Sequence, residues 1–528
     1  MKINAALLTD GYKTGHASQY PPKTNLVYGN FTPRANKYAP NKATHVLAFG
    51  TQMTFMQIHE MFQEGFFSRP KAEVIGEIKK ELSLYLGTDY DTRHFEALHD
   101  LGYLPVKVKA LPEGTLVPIR IPVLTIRNTH PDFYWVTNYL ETLISTLLWK
   151  PMTSASIAFQ YRLLLEEWQR KTDAERGWFV DWQAHDFSMR GMDSVEAVMA
   201  SGLGHATAFT GSDSLPVIPA ARHFYHSAIW DWPQKNQTQP EIIIGSVPAT
   251  EHSVMCAGGQ ESELETYRRL LQVYPKGILS IVSDTWDLWK VLTEHLPTLK
   301  DEILARDGKV VIRPDSGNPA DILCGYNTLS EYDFKEKQVN VEPNHPSHKG
   351  VVELLWDLFG GTVNDQGFKV LNEKIGAIYG DSITLARAEE ICRRLASKGF
   401  ASTNVVLGIG SFTYQYNTRD AFGFAMKATY VEIDGKEKEI FKNPITDSGL
   451  KKSAKGLLRV EKENGEYVLY DQQAWNQEES GELKIIYNNG FEGVKAVSLS
   501  EIRARVKEAI NKELQNRTTK KLQKGGRK

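Results

Sequence analysis

ILSIVSDTWD (278–287) decides the fold: an apolar run stops abruptly at Ser, Asp and Thr, and a helix-like stretch follows. The pattern recurs in VVIRPDSGNP (310–319), IGAIYGDSIT (375–384) and VVLGIGSF (405–412). Continuous apolar runs of this length suit strands buried on both faces of a parallel sheet. Small and charged residues then collect at the strand C-termini, where barrel enzymes place their chemistry. The expected fold class is therefore α/β, with an irregular β/α barrel over residues 151–415. A doubly wound sheet puts its site at the same strand ends and remains the other option.

Outward from this zone the pattern changes. Residues 1–150 contain VKVKALPEGTLVPIRIPVLTIRN (106–128), whose alternation around Pro-Glu-Gly predicts a hairpin or meander. Helical spacing follows over 133–149, with Pro151 expected to help end that helix. Residues 416–515 return to strand signals, in FGFAMKATYVEIDG and GEYVLYD. A closing helix is expected from about Leu499, with Ser498 and Glu501 as a capping box. Residues 516–528 are basic and contain glycine, and a flexible tail is expected there.

Composition narrows the function. The 528 residues are 41 % hydrophobic and 24 % charged, with a formal net charge of −2. Such a balance provides no broad basic surface for nucleic acid, so a phosphate site must be a local cluster of Lys and Arg. No apolar run approaches the length of a membrane span, and the first residues turn polar too early for a signal peptide. The 3 cysteines, Cys256, Cys324 and Cys392, form no CxxC pair. A reducing, cytoplasmic setting is the expectation.

Several strings carry side chains suited to chemistry. In Arg313-Pro-Asp315-Ser-Gly-Asn-Pro a strand delivers a guanidinium fork and a carboxylate just before a sharp turn. The first suits a carbonyl or phosphate and the second suits sugar hydroxyls, although the pair also fits a structural clasp on the turn. Gly380 and Asp381 combine close backbone approach with a carboxylate for ribose. Gly408-Ile-Gly410-Ser411 is similar to a phosphate-cradling turn, and tight strand–helix packing explains such glycines equally well. HDFSMRG (185–191) offers the Phe187 ring and the Arg190 cation to a flat, electron-poor ring. Glu251-His252 and the Asp284/Asp287 pair add titratable groups. Lys442, Lys451, Lys452 and Lys455, near Arg419, suit either a polyphosphate or a solvated face.

Taken in order, TDGYK (9–13), HDFSMRG, GSD (211–213), VPATEHS (247–253), VSDTWD (282–287), VIRPDSGNP, YGDSI (379–383) and TRD (418–420) match one family over almost the whole chain. The sequence resembles the nicotinamide phosphoribosyltransferases, the type II group that also includes nicotinate phosphoribosyltransferases. The resemblance implies a β/α barrel domain plus an α/β domain in which the N- and C-terminal segments come together, and a homodimer with shared active sites. It implies that Phe187 stacks on the pyridine, that Tyr12 is the ring supplied by the second subunit, and that Asp10 lies on the substrate side. Asp213 would accept a hydrogen bond from the carboxamide, with Arg190 and Arg313 near the ring and its carbonyl. Asp315, Gly380 and Asp381 would hold ribose, and Gly410 with Ser411 the 5-phosphate. Arg34, Arg419, Lys442 and Lys451 resemble the cluster around pyrophosphate and ATP. His252 corresponds to a histidine that ATP phosphorylates, oriented by Asp284 and Glu251.

The implied reaction joins nicotinamide to phosphoribosyl pyrophosphate, with Mg2+ on the phosphates, metal ligands undetermined, and ATP as co-substrate. One departure stands out: the phosphate turn reads GIGSF, where relatives carry a longer glycine run, so Ser411 and Phe412 occupy positions otherwise small. The competing readings are the same chemistry on nicotinate, a non-catalytic sensor of phosphoribosyl compounds or NAD metabolites, and a glycosidase. The last leaves the lysine cluster and the aromatic clamp without a role.

Overall fold

The apolar runs become neighbouring parallel strands. In the computed structural model, which describes residues 3–225, 242–329, 342, 344–380, 382–441 and 454–525, a five-stranded sheet has the order Ala184–Asp186, Val405–Ile409, Ile375–Tyr379, Asp307–Arg313, Lys276–Val282. Every adjacent pair is parallel. Ala184–Asp186, Val405–Ile409 and Ile375–Tyr379 are almost entirely buried, whereas Lys276–Val282 is buried only over its last four residues and Asp307–Arg313 only at Val310 and Ile312.

The sheet's edges do not stay open. Single parallel bridges link Asp186 to Ser212, Gly211 to Gly245, and Ala249 to Ser280. Backbone bonds carry them: Ser212 N donates to the Gly245 carbonyl (3.1 Å) and Thr250 N to the Ser280 carbonyl (3.0 Å). The five strands and the two connecting segments thus form a ring, an irregular β/α barrel. The doubly wound alternative is excluded by that closure.

The chain divides into two compact units. One contains 158–218, 242–416 and 510–528 and holds the barrel; the other contains 1–157, 219–241 and 417–509. The second is built as an antiparallel sheet, in the order Lys436–Glu439, Ala425–Ile433, Thr24–Thr32, Leu124–Asn128, Val106–Ala110, Lys484–Asn488. Thr24–Thr32 pairs with Ala425–Ile433 along its length, so the two ends of the chain build one α/β domain. Its core gathers Phe31, Phe55, Phe95, Trp135 and Phe424 between sheet and helices.

Two local expectations need correction. The helix expected to stop at Pro151 runs instead from Glu141 to Thr172. Proline removes one helical donor and crowds the preceding turn. Here the surrounding residues 151–159 are buried, so packing outweighs the local penalty. Gly50 makes room for the ring; a Cβ there would lie 2.7 Å from Pro151 Cγ. The second case is the expected flexible tail, because the helix Leu499–Gly525 continues through most of it. Arg517 helps extend the helix by pairing with Glu513 (3.4 Å) and Glu167 (3.3 Å). At the other end the capping box forms: Ser498 N donates to Glu501 Oε2 (2.8 Å), and Glu501 N donates to Ser498 Oγ (3.2 Å). Among the described residues no helix is long and apolar enough to cross a membrane.

Candidate active site

The barrel's C-terminal rim gathers most of the expected residues. Arg313 ends its strand and is held by a bond from Nη2 to the Thr250 carbonyl (2.7 Å). Its Nε lies 3.6 Å from Asp315 Oδ1. Asp315 stands against Gly380 on the neighbouring strand end. A Cβ at residue 380 would fall 1.9 Å from Asp315 Oδ1, so only glycine fits there. Asp284 is nearly buried and organises the turn beside it. Its Oδ2 accepts bonds from Asp315 N (2.9 Å), Ser316 N (2.7 Å) and Ser316 Oγ (2.5 Å). The RPDSGNP turn is therefore fixed by a carboxylate from the preceding strand.

His252 faces this carboxylate pair. Its Nε2 is 3.8 Å from both Asp284 Oδ1 and Asp315 Oδ2, and its Nδ1 is 3.1 Å from Thr285 Oγ1. The imidazole is half exposed, so a ligand can reach it. Glu251 does not orient it as expected. That carboxylate accepts a bond from the Ser253 hydroxyl instead, because Glu251 precedes the short helix His252–Cys256 and is exposed. Asp284, Asp315 and Thr285 surround the ring in its place.

Asp213, on the closing segment bridged to Ala184–Asp186, is held by two donors. His185 Nε2 donates to its Oδ1 (2.8 Å), and the Ser246 hydroxyl donates to the same oxygen. Both bonds fall on Oδ1. Burial pushes the Asp213 pKa up, but those bonds and the nearby Arg313 charge outweigh it and hold the carboxyl below its usual range. Phe187 packs against His185, with ring centroids 4.5 Å apart. Phe187, Asp213 and Arg313 line a cavity of about 310 Å³. That volume accommodates a single aromatic ring with a small substituent. The cavity continues down the barrel past Val311 to Lys309, about 13 Å from Arg313 along the strand.

The turn at Gly408–Ser411 lies beside the same loop. Phe187 N donates to the Ile409 carbonyl (2.9 Å). Ser411 Oγ sits where a side chain on residue 191 would point, 2.1 Å from an ideal Cβ. The glycine of HDFSMRG thus lets Ser411 come next to Arg190, which is exposed. Phe412 turns outward, 57 % exposed, and stacks on Tyr416. The departure in GIGSF therefore adds an exposed ring and does not fill the turn.

Other expected residues belong to the antiparallel-sheet unit. Arg34 and Arg419 lie together there: Arg34 N donates to the Phe422 carbonyl (3.0 Å), and Phe424 N to the Arg419 carbonyl (3.2 Å). Tyr12 is 67 % exposed, and Asp10 Oδ2 accepts a bond from Thr142 Oγ1 (2.6 Å). Asp381, Lys442 and Lys451 lie outside the described residues. The sequence reading gave no role to His185, Ser246 or Thr250. His185 opens HDFSMRG and Ser246 directly precedes VPATEHS, but their pairing with Asp213 arises only on barrel closure. Among the described residues no group of three or more His, Cys, Asp or Glu side chains is placed to hold a metal ion.

Comparison with known proteins agrees with this architecture. The profile of the nicotinate phosphoribosyltransferase (NAPRTase) family matches residues 182–489. A nicotinamide phosphoribosyltransferase of Acinetobacter baylyi is 47 % identical over 96 % of this chain and 98 % of its own. Another from Mycoplasma pneumoniae is 34 % identical over 84 % of this chain and 92 % of its own. Among solved structures, the nicotinate-nucleotide pyrophosphorylase of Pyrococcus furiosus aligns with a TM-score of 0.54 at 16 % identity, covering 97 % of this chain and 96 % of that one. Human nicotinic acid phosphoribosyltransferase gives 0.52 at 18 %, covering 95 % and 93 %. These two share the fold. The chain is an enzyme of the phosphoribosyltransferase class and belongs to the nicotinate phosphoribosyltransferase family.

Proposed function

We propose that the enzyme transfers the phosphoribosyl group of phosphoribosyl pyrophosphate to nicotinamide, releasing nicotinamide mononucleotide and pyrophosphate for NAD salvage. The observation that carries this reading is Asp213. A carboxylate held charged beside an aromatic slot accepts a carboxamide N–H and repels the carboxylate of nicotinate. The names of the similar Acinetobacter and Mycoplasma proteins support the same substrate. The pyridine nitrogen attacks C1 of the ribose, the bond to pyrophosphate breaks, and an oxocarbenium-like transition state lies between. The nitrogen lone pair is free in nicotinamide, so no general base is required. Phe187 orients the ring, Asp315 engages the ribose hydroxyls, and Arg313 binds beside the carbonyl. Asp284 and Asp315 offer carboxylates that fit a Mg2+ ion bound largely through substrate phosphates, where it would offset charge on the leaving pyrophosphate. With phosphoribosyl pyrophosphate and Mg2+ supplied, kcat/KM for nicotinamide should exceed that for nicotinate by at least about a hundredfold. A preference for nicotinate overturns the substrate assignment.

ATP enters as a phosphoryl donor. The His252 imidazole attacks the γ-phosphorus, the bond to ADP breaks, and water later hydrolyses the phosphohistidine. Asp284 favours the cationic ring, and the added phosphate charge organises pyrophosphate and metal. Two copies complete each site, with Tyr12 of the partner subunit covering the ring held on Phe187. Its exposure supports that role. Mixing inactive Tyr12→Ala and Asp315→Ala chains should restore activity, since one site of each mixed dimer is then intact. No recovery after proven subunit exchange would show that each chain builds its site alone.

A further inference from the structure

Beneath the rim lies a buried imidazole that the reaction does not use. His205, on the helix Val195–Ala206, has no solvent exposure. Its Nε2 is 3.0 Å from the Gly211 carbonyl and its Nδ1 2.7 Å from the Tyr414 hydroxyl. Burial lowers its pKa, ahead of an opposing contribution from the Asp186 charge, so the ring is neutral and carries one proton. A carbonyl only accepts, which places that proton on Nε2. Nδ1 is then an acceptor, and Tyr414 donates to it.

The two partners belong to different halves of the substrate site. Gly211 lies two residues before Asp213, and its carbonyl also accepts from Asp186 N (3.1 Å). Tyr414 is the last residue of the turn Ser411–Tyr414 that follows Gly410. The turn has one more tie from below, where Tyr161 OH is 3.3 Å from Thr413 Oγ1 while also donating to the Ile383 carbonyl (2.7 Å). Gly410 itself is extended, and Ser411 is packed against Gly191. The Tyr414 phenol thus ties this turn to the buried His205.

We propose that His205 and Tyr414 are positioning residues: the neutral imidazole fixes the phosphate-side turn at Gly410–Ser411 to the amide-side turn at Gly211–Asp213. The proposal rests on the assignment of those turns to the two substrates. It predicts an asymmetry that general destabilisation does not. Tyr414→Phe removes the phosphate-side bond of His205 and spares its bond to Gly211, and should raise KM for phosphoribosyl pyrophosphate about fivefold to tenfold with KM for nicotinamide unchanged. His205→Phe removes both bonds and should raise both constants. In His205→Gln the side-chain amide again offers a donor and an acceptor, and should recover part of the loss.

Steady-state kinetics of these variants, with thermal unfolding and calorimetric binding of phosphoribosyl pyrophosphate, test this. Calorimetry needs no turnover and separates the two ideas. A wild type that binds phosphoribosyl pyrophosphate but makes no nicotinamide mononucleotide refutes the substrate reading alone. Equal phosphoribosyl pyrophosphate affinity in wild type and Tyr414→Phe refutes the positioning role alone. If Tyr414→Phe raises both KM values in parallel with a fall in unfolding temperature, His205 is a structural residue and the proposal is wrong. Absence of phosphoribosyl pyrophosphate binding by wild type overturns both.

Discussion

His252→Ala should abolish ATP hydrolysis and ATP stimulation while leaving slow, uncoupled synthesis of nicotinamide mononucleotide at high substrate. The separation follows from the geometry. The imidazole faces Asp284 and Asp315 at 3.8 Å and is half exposed, whereas the ring recognition proposed above uses a different set of residues, His185, Phe187 and Asp213. No proton leaves the pyridine nitrogen, so displacement does not need the imidazole as a base. The check is incubation with γ-labelled ATP, then assay for acid-labile, base-stable phosphate on the protein. An unlabelled wild type whose synthesis ATP still stimulates would assign coupling to another residue or to binding alone. Equal loss of both activities together with stability would make His252 a structural side chain.

Asp213→Asn should lose most of the discrimination against nicotinate. Asparagine Oδ1 still accepts from His185 and Ser246, so the turn stays in place. The position of Oδ2 then carries an amide donor, which opposes the carboxamide N–H and welcomes a carboxylate. A hydrogen bond to a charged group contributes about 1.5–3 kcal/mol, or a change in preference of roughly tenfold to a hundredfold. Because the wild-type carboxyl is held below its usual pKa, it stays charged throughout the neutral range, and the preference there should not vary with pH. The ratio of kcat/KM values for the two pyridines measures the effect. An unchanged ratio removes Asp213 from substrate selection.

How much of this was legible in the sequence depended on how local the cause was. The strands Lys276–Val282, Asp307–Arg313, Ile375–Tyr379 and Val405–Ile409 are apolar runs bounded by polar clusters, a signal within ten residues. Their rim residues Asp284, Arg313, Asp315, Gly380 and Gly410 follow directly from strand direction. The segments that close the ring are too short to show an apolar period, and single bridges define them. The contact of His185 with Asp213 spans 28 positions and appears only after closure. Glu251 illustrates the opposite error: adjacency to His252 suggested cooperation, but neighbouring side chains at the start of a short helix diverge, and its carboxylate turns to Ser253. Pro151 failed as a stop signal because burial of the surrounding turns overrides a local preference. The lysines at 442 and 451, and Asp381, lie outside the described residues, and of the cluster expected for polyphosphate Arg34 and Arg419 are described.

The uneven closure of the barrel also divides its cohesion. Lys276–Val282 and Asp307–Arg313 are paired residue for residue along their whole length, and they lead into Asp284 and Asp315 and end on Arg313. Asp213 and Ser246 lie in the sector stitched by one bridge at each seam. Opening that sector breaks few backbone bonds, so its free energy is well below that of global unfolding. Local opening is therefore expected first in this sector, ahead of the fully paired strands Lys276–Val282 and Asp307–Arg313. The same sector holds Thr250, which anchors Arg313, so its opening would also release that guanidinium.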